Sequence, residues 1–179
     1  MRSLSIEEIK RLSPEEYARA PKHPFVVVLD NLRSRSNVGA VFRTMDAFAG
    51  EHLYLCGFTP LPDHREVHKT ALGAEQVVPW SHHSNTSELL EYLKKEGYQI
   101  IAVEHTDQSI SLTGCSFATQ QKVAFVFGNE VQGISSEALQ CCELALEIPQ
   151  FGTKHSLNVS VSVGVVLWDF VRRMPAIFG

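Results

Sequence analysis

An α/β fold built on a mainly parallel sheet is what this chain predicts, and three observations predict it. Phe-Val-Val-Val-Leu at residues 25–29 is a continuous apolar run, the pattern of a strand buried on both faces, and other short apolar runs follow it. Segments with helical apolar spacing lie between such runs, as at Val38, Val41, Phe42, Met45 and Phe48. The two kinds alternate along the chain, and strands joined by helical crossovers lie parallel in one sheet.

Taken in order, Ser5-x-x-Glu8 and Ser13-Pro14-x-Glu16 both have the form of helix starts. Pro14 would occupy a first helical position, where no N–H is needed. Residues 1–20 are therefore expected to form one or two short helices ahead of Pro21 and Pro24. After the strand at 25–29, a helix over 37–49 opens at Asn37, whose amide can cap it or hold a substrate group, and ends at Gly50. A strand at 52–56 and a short extended segment at 73–80 come next. A polar amphipathic helix at 87–96 is closed by Gly97, and strands follow at 99–103 and 122–127. A short helix at 135–140, a strand at 144–148 and a long final helix at 156–173, with Ser156 as a plausible cap, complete the chain. No repeat or linker divides it, so a short helical segment, 1–24, and one domain, 25–179, are expected.

The chain has 179 residues, 44% hydrophobic and 20% charged, which is enough to bury a substantial core. A net charge of −4 argues against a surface coated in positive charge for nonspecific nucleic-acid binding. A local patch can still hold a phosphate backbone; Arg33 and Arg35 share one loop, and Lys154, Arg172 and Arg173 add charge. Cys56, Cys115, Cys141 and Cys142 form no C-x-x-C, and Cys141 and Cys142 are neighbours poorly placed to bridge each other, so reduced thiols are expected. The acidic N-terminus has no apolar signal-peptide core. The longest apolar stretch, 157–171, is broken by Asn158, Ser160, Ser162 and Asp169 and is shorter than the ~20 residues a bilayer needs. A soluble, cytoplasmic protein with no membrane contact is expected.

Several patterns fail on inspection. His64-Arg65-Glu66-Val67-His68 has metal-like spacing without being H-E-x-x-H and reads as a solvated loop, so no metal is expected. His82 and His83 read as surface ahead of a polar helix. Gly-Asn-Glu-Val-Gln-Gly at 128–133 lacks the Gly-Lys-Ser/Thr ending of a phosphate loop, and the chain has no G-x-G-x-x-G. No G-x-S-x-G elbow surrounds Ser156, which removes a serine-hydrolase reading.

Three polar islands remain, each at the edge of an apolar run: Asn37, Gly39 and Arg43; Gly128-Asn129-Glu130; and Ser156-Leu157-Asn158-Val159-Ser160. Asn, Gly and Ser are ordinary turn and cap residues, so one island alone carries little information. Three in this order, each beside the appropriate strand or helix, resemble the SpoU/TrmH branch of the SPOUT RNA methyltransferases from about Phe25 to Arg173.

The resemblance implies a SPOUT-type sheet whose C-terminal part is tied into a trefoil knot, which generic topology rules would reject. It implies methyl transfer from S-adenosylmethionine to a ribose 2′-hydroxyl of tRNA or rRNA, by a homodimer whose pocket lies near the subunit interface. Arg43, Asn37, Glu130, Ser156 and Asn158 match the family's catalytic positions. Arg43 is the expected catalytic residue, either as general base or, because arginine stays protonated, as phosphate clamp and alkoxide stabiliser. Gly128, Ile148 and Leu157 match positions that contact the cofactor, with Glu104 and His105 at the pocket edge. The Val159, Val163, Val166 and Phe170 stripe is core or dimer face. A catalytically silent RNA-binding or assembly protein on the same fold is the alternative. The roughly 24 residues ahead of Phe25 are too few for the RNA-recognition domain that many members carry, which leaves the target open.

Overall fold

The structure, a computed structural model, describes residues 1–5, 8, 9, 11–118 and 120–175. Its strands are β1 (His23–Asp30), β2 (Gly50–Cys56), β3 (Trp80–His83), β4 (Gln99–Val103), β5 (Ile110–Ser111), β6 (Val123–Phe127) and β7 (Leu144–Glu147). They form one seven-stranded sheet in the order β3-β2-β1-β6-β4-β7-β5. Each pairing is parallel. The helices are α1 (Pro14–Arg19), α2 (Arg35–Ala47), α3 (Arg65–Ala71), α4 (Thr86–Lys95), α5 (Ser136–Gln140) and α6 (Val159–Val171).

Strand side chains alternate between faces, and both faces of this sheet are covered. Phe25, Val27, Leu29, Phe125 and Phe127 pack with α2, α3 and α6 in one core. Val26, Val28, Ala124 and Val126 pack with Leu89, Leu90 and Leu93 of α4 and Ala138 of α5 in a second. That double burial explains why the central strands read as unbroken apolar runs. Phe170 of α6 sits edge-on to Phe25, Phe117 and Phe125, with ring centroids 5.7, 5.0 and 5.4 Å away, locking the last helix under the sheet centre.

Several expectations are corrected. The expected start at Ser5 falls partly on residues 6, 7 and 10, outside the described residues, whereas Ser13 and Glu16 do form a reciprocal capping box on α1. Helix α2 begins two residues before Asn37, because Ser34 accepts the Asn37 N–H and caps it. It ends at Ala47 and the chain turns through a left-handed Ala49, so Gly50 opens β2 instead of closing the helix. The histidine-rich stretch expected as a loop is helix α3, capped by His64. Residues 74–76 form a 3-10 turn, and the strand expected within 73–80 begins only at Trp80 and includes His82 and His83. Edge strand β5 was not expected; at two residues it has no periodicity to read. Asn158, not Ser156, caps α6 by accepting the Ser160 N–H.

Among the described residues no helix is long and apolar enough to cross a membrane, and no group of three or more His, Cys, Asp or Glu is placed to hold a metal. The four cysteines are free, and burial pushes the Cys56 and Cys142 thiols up to about 12.

Candidate active site

Parallel α/β sheets place ligands beyond the carboxyl ends of their strands, where loops diverge. Here the segments leaving β4, β6 and β7, together with the start of α6, enclose a cleft of about 490 Å³. Glu104 and His105 follow β4, Gly128 to Gly133 follow β6, and Ile148 and Gln150 follow β7. His155 to Val159 and Ser162 supply the remaining wall.

A hydrogen-bond relay at the rim joins the three islands. Glu130 accepts the backbone N–H groups of Arg33 and Ser34, each at 3.0 Å, and the Asn37 side-chain amide at 3.0 Å. Asn37 in turn accepts from the Asn158 amide at 3.2 Å. The Asn158 carbonyl oxygen accepts from the Ser160 N–H and hydroxyl at 2.9 and 2.7 Å. Glu130 thus holds the N-terminus of α2, where unpaired N–H groups favour a carboxylate. Burial pushes the Glu130 carboxyl up, but the Arg33 N–H, its own N–H, the Asn37 amide and the Ser34 N–H outweigh that and leave it below the ordinary range.

The loop bearing Glu130 is itself fixed. Asn129 donates to the Asn31 carbonyl at 2.7 Å and accepts the Val131 and Gln132 N–H groups. Fully buried Asp30 accepts the Ser135 N–H at 2.7 Å and the Thr86 hydroxyl at 2.6 Å. A Cβ at Gly128 would overlap the backbone of Gly133 and Ile134, so this glycine lets the loop close on itself. Glu104 accepts the Ile134 and His105 N–H groups at 3.1 Å each, which commits its carboxylate to shaping the cleft. On the facing wall Gln150 meets His105 at 3.1 Å, and Glu147 accepts the Ser109 hydroxyl at 2.7 Å.

The sequence-derived candidates therefore divide. Gly128, Glu130, Ile148, Leu157, Ser156, Asn158, Glu104 and His105 all line the cleft, and Asn37 touches it through Glu130 and Asn158. Ser156 makes no side-chain hydrogen bond among the described residues. Arg43 does not line the cleft of its own chain; it is exposed on α2, with no hydrogen-bond or ion-pair partner among the described residues. Sequence reasoning missed Ser34, Asp30, Glu147 and Gln150, and it named Asn129 only as part of an island, with no role. The Ser34-x-x-Asn37 spacing is a readable cap, and an aspartate ending an apolar strand is a readable buried charge. Gln150 carried no such signal.

The chain belongs to the SpoU rRNA Methylase family, whose model matches residues 24–168. Among its relatives, the 23S rRNA (guanosine-2′-O-)-methyltransferase RlmB of Neisseria meningitidis serogroup B is 34% identical over 151 residues, covering 84% of this chain and 59% of that protein. This chain thus spans less than two thirds of that relative's length. The crystal structure of the Aquifex aeolicus TrmH/SpoU tRNA modifying enzyme superposes with a TM-score of 0.79 at 26% identity, covering 89% of this chain and 80% of that one. An AdoMet-bound rRNA methyltransferase from Sinorhizobium meliloti gives a TM-score of 0.78 at 26% identity, covering 92% and 61%.

Proposed function

We propose that this chain transfers a methyl group from S-adenosylmethionine to a ribose 2′-hydroxyl of tRNA or rRNA. The observation that carries the proposal is the Glu130–Asn37–Asn158 relay, which draws residues 121 positions apart into one hydrogen-bonded unit beside a ligand-sized cleft. The names of the relatives, all RNA-modifying, support it.

The cleft fits the cofactor. Its volume lies in the range of about 300–1,000 Å³ typical of small-molecule sites. Phe127, Leu146, Ile148 and Leu157 offer apolar wall for an adenosyl group, while Gly128 brings backbone close. Gly128, Ile148 and Leu157 would hold it, with Glu104 fixing the loop and His105 at the edge. The AdoMet-bound structure of the Sinorhizobium meliloti relative supports the identity of the cofactor. When bound, S-adenosylmethionine supplies an electrophilic methyl group.

The protein's own residues then have to place a hydroxyl and release its proton. Asn158 and Ser156 orient the nucleotide, with Asn158 held in position by Asn37. Glu130 keeps the start of α2 in place. Arg43 remains a cation, so its role is to clamp the adjacent phosphate and stabilise the developing alkoxide while the proton passes to a phosphate oxygen.

Because Arg43 stands outside its own chain's cleft, the working unit is a homodimer in which each Arg43 serves the other cleft. What supports this is the apolar face of α6, where Val161, Val165 and Trp168 are exposed and Trp168 lies 6.1 Å from Phe48 of α2. A second copy on that face would meet α2 and the start of α6 together. The C-terminal segment forms a trefoil knot. The support is that β7, the last strand in the chain, lies between β4 and β5, while the following α6 is held by Arg173 donating to the Leu112 and Cys115 carbonyls. Residues 25–179 constitute the methyltransferase domain, and the site of action is the cytoplasm.

Incubation with methyl-labelled cofactor and unmodified bulk tRNA or rRNA, followed by mapping of ribose methylation, tests the reading. Label should enter a ribose, and Arg43→Ala should abolish transfer while changing cofactor affinity less than about twofold. Cofactor binding without transfer to any RNA would instead support the catalytically silent alternative.

A further inference from the structure

One large aromatic side chain near the relay is held out in solvent by a rigid backbone. Phe58 is 60% exposed, yet the loop beneath it is tightly bonded. Its N–H donates to the Asn31 side chain at 3.3 Å. The buried Thr59 hydroxyl donates to the Cys56 and Leu29 carbonyls at 2.7 and 3.1 Å and accepts the Leu32 N–H at 3.1 Å. Asn31 and Leu32 lead directly into Arg33 and Ser34, whose N–H groups hold Glu130, and the Asn31 carbonyl accepts from Asn129. The Phe58 loop and the relay are therefore one hydrogen-bonded unit.

The same stretch is locally basic in a chain whose net charge is −4. Arg33 and Arg35 follow Asn31 along the chain and Arg65 and Lys69 follow the Phe58 loop; all four are exposed, against Asp63 and Glu66. The Arg35–Glu66 pair is long, at 3.9 Å, and half-exposed, so it leaves the guanidinium available. A preorganised exposed aromatic ring loses little freedom on binding a flat partner. An aromatic ring flanked by cations is the arrangement that single-stranded nucleic acid uses, with bases stacked on the ring and phosphates paired to the charges.

We propose that Phe58 stacks a nucleobase flanking the modified nucleotide, and that Arg35 and Arg65 hold the adjoining phosphates. This rests on the reading of the cleft as a methyl-transfer site and adds a path for the substrate strand from the cleft across the loop after β2 toward α3.

The test combines turnover with filter binding, using unmodified bulk tRNA and rRNA. Phe58→Ala should raise the RNA KM and Kd about tenfold, the order expected for losing one base stack, with kcat at saturating RNA and cofactor affinity unchanged. Phe58→Trp should restore binding. Arg65→Ala should weaken binding and lower its salt dependence. Wild-type RNA affinity in Phe58→Ala overturns the proposal, as does an altered sedimentation coefficient with unchanged RNA affinity, which would make Phe58 a contact between copies. If the wild type methylates no RNA yet binding still depends on Phe58, the methyltransferase reading fails, the placement beside a modified nucleotide is overturned with it, and only the base-stacking contact survives.

Discussion

Glu130 illustrates how one side chain carries an arrangement no neighbouring residue discloses. Its carboxylate takes two backbone N–H groups and one amide from a segment more than 90 residues away. Because its folded pKa lies below the ordinary 4.5, the carboxylate stabilises the fold above that value, and the contribution is lost as pH falls through the lowered folded value. Glu130→Gln should therefore reduce the urea midpoint at neutral pH, and the gap to wild type should shrink in acid below 4.5. A gap independent of pH would contradict the ionised role. In Asn158 a cap and a site contact share one side chain, since its carbonyl oxygen caps α6 and its amide reaches Asn37. Asn158→Ala should accordingly cost about 1 kcal/mol of stability as well as at least tenfold in methyl transfer, read by denaturation and turnover. Asn158→Asp, which keeps the capping oxygen and loses the amide donor, should restore most of the stability and little of the activity.

At the level of elements, the crossing of α2 and α3 depends on one absent side chain. A Cβ at Gly39 would overlap the Thr70 hydroxyl and the Val67 carbonyl, so the close approach of α3 to α2 at this point needs a glycine. Gly39→Ala should force the helices apart and lower stability by about 1–3 kcal/mol, the usual cost of overpacking, despite alanine's better helix propensity. Thermal denaturation that shows stabilisation would refute the close packing. The Gly39 position is visible in the sequence as part of an island. Its partner is not visible, because the 64–68 stretch reads as a solvated loop; seven residues with only Val67 and Ala71 buried give a weak helical pattern.

For the whole molecule, the question is which face of α6 the chain covers by itself. Val163, Val166 and Phe170 are fully buried under the sheet, so the stripe that reads as core or dimer face is core. The open face is Val161, Val165 and Trp168, with Trp168 57% exposed. Trp168→Glu should therefore yield a folded monomer with little transfer activity, whereas Phe170→Glu should unfold the chain, because an unpaired charge cannot be buried in that aromatic cluster. Sedimentation and circular dichroism distinguish the two. A monomeric wild type with full activity at micromolar concentration would remove the need for a second copy.

The sequence by itself determined the fold class and the central strands, and it marked most of the named residues that line the cleft, though not Gln150 or Glu147. Double burial writes itself as continuous apolar runs at β1 and β6, and Gly128, Glu130, Leu157 and Asn158 stand at strand and helix ends where ligands bind. Tertiary structure alone decided what those residues do to one another. The Glu130–Asn37–Asn158 contacts join positions 93 and 121 residues apart, and no local periodicity encodes such a pairing. It also decided that Ser34 and Asn158 are the caps, that Arg43 lies outside its own cleft, and that Phe58 is held in solvent, since each depends on which surfaces the folded chain leaves uncovered.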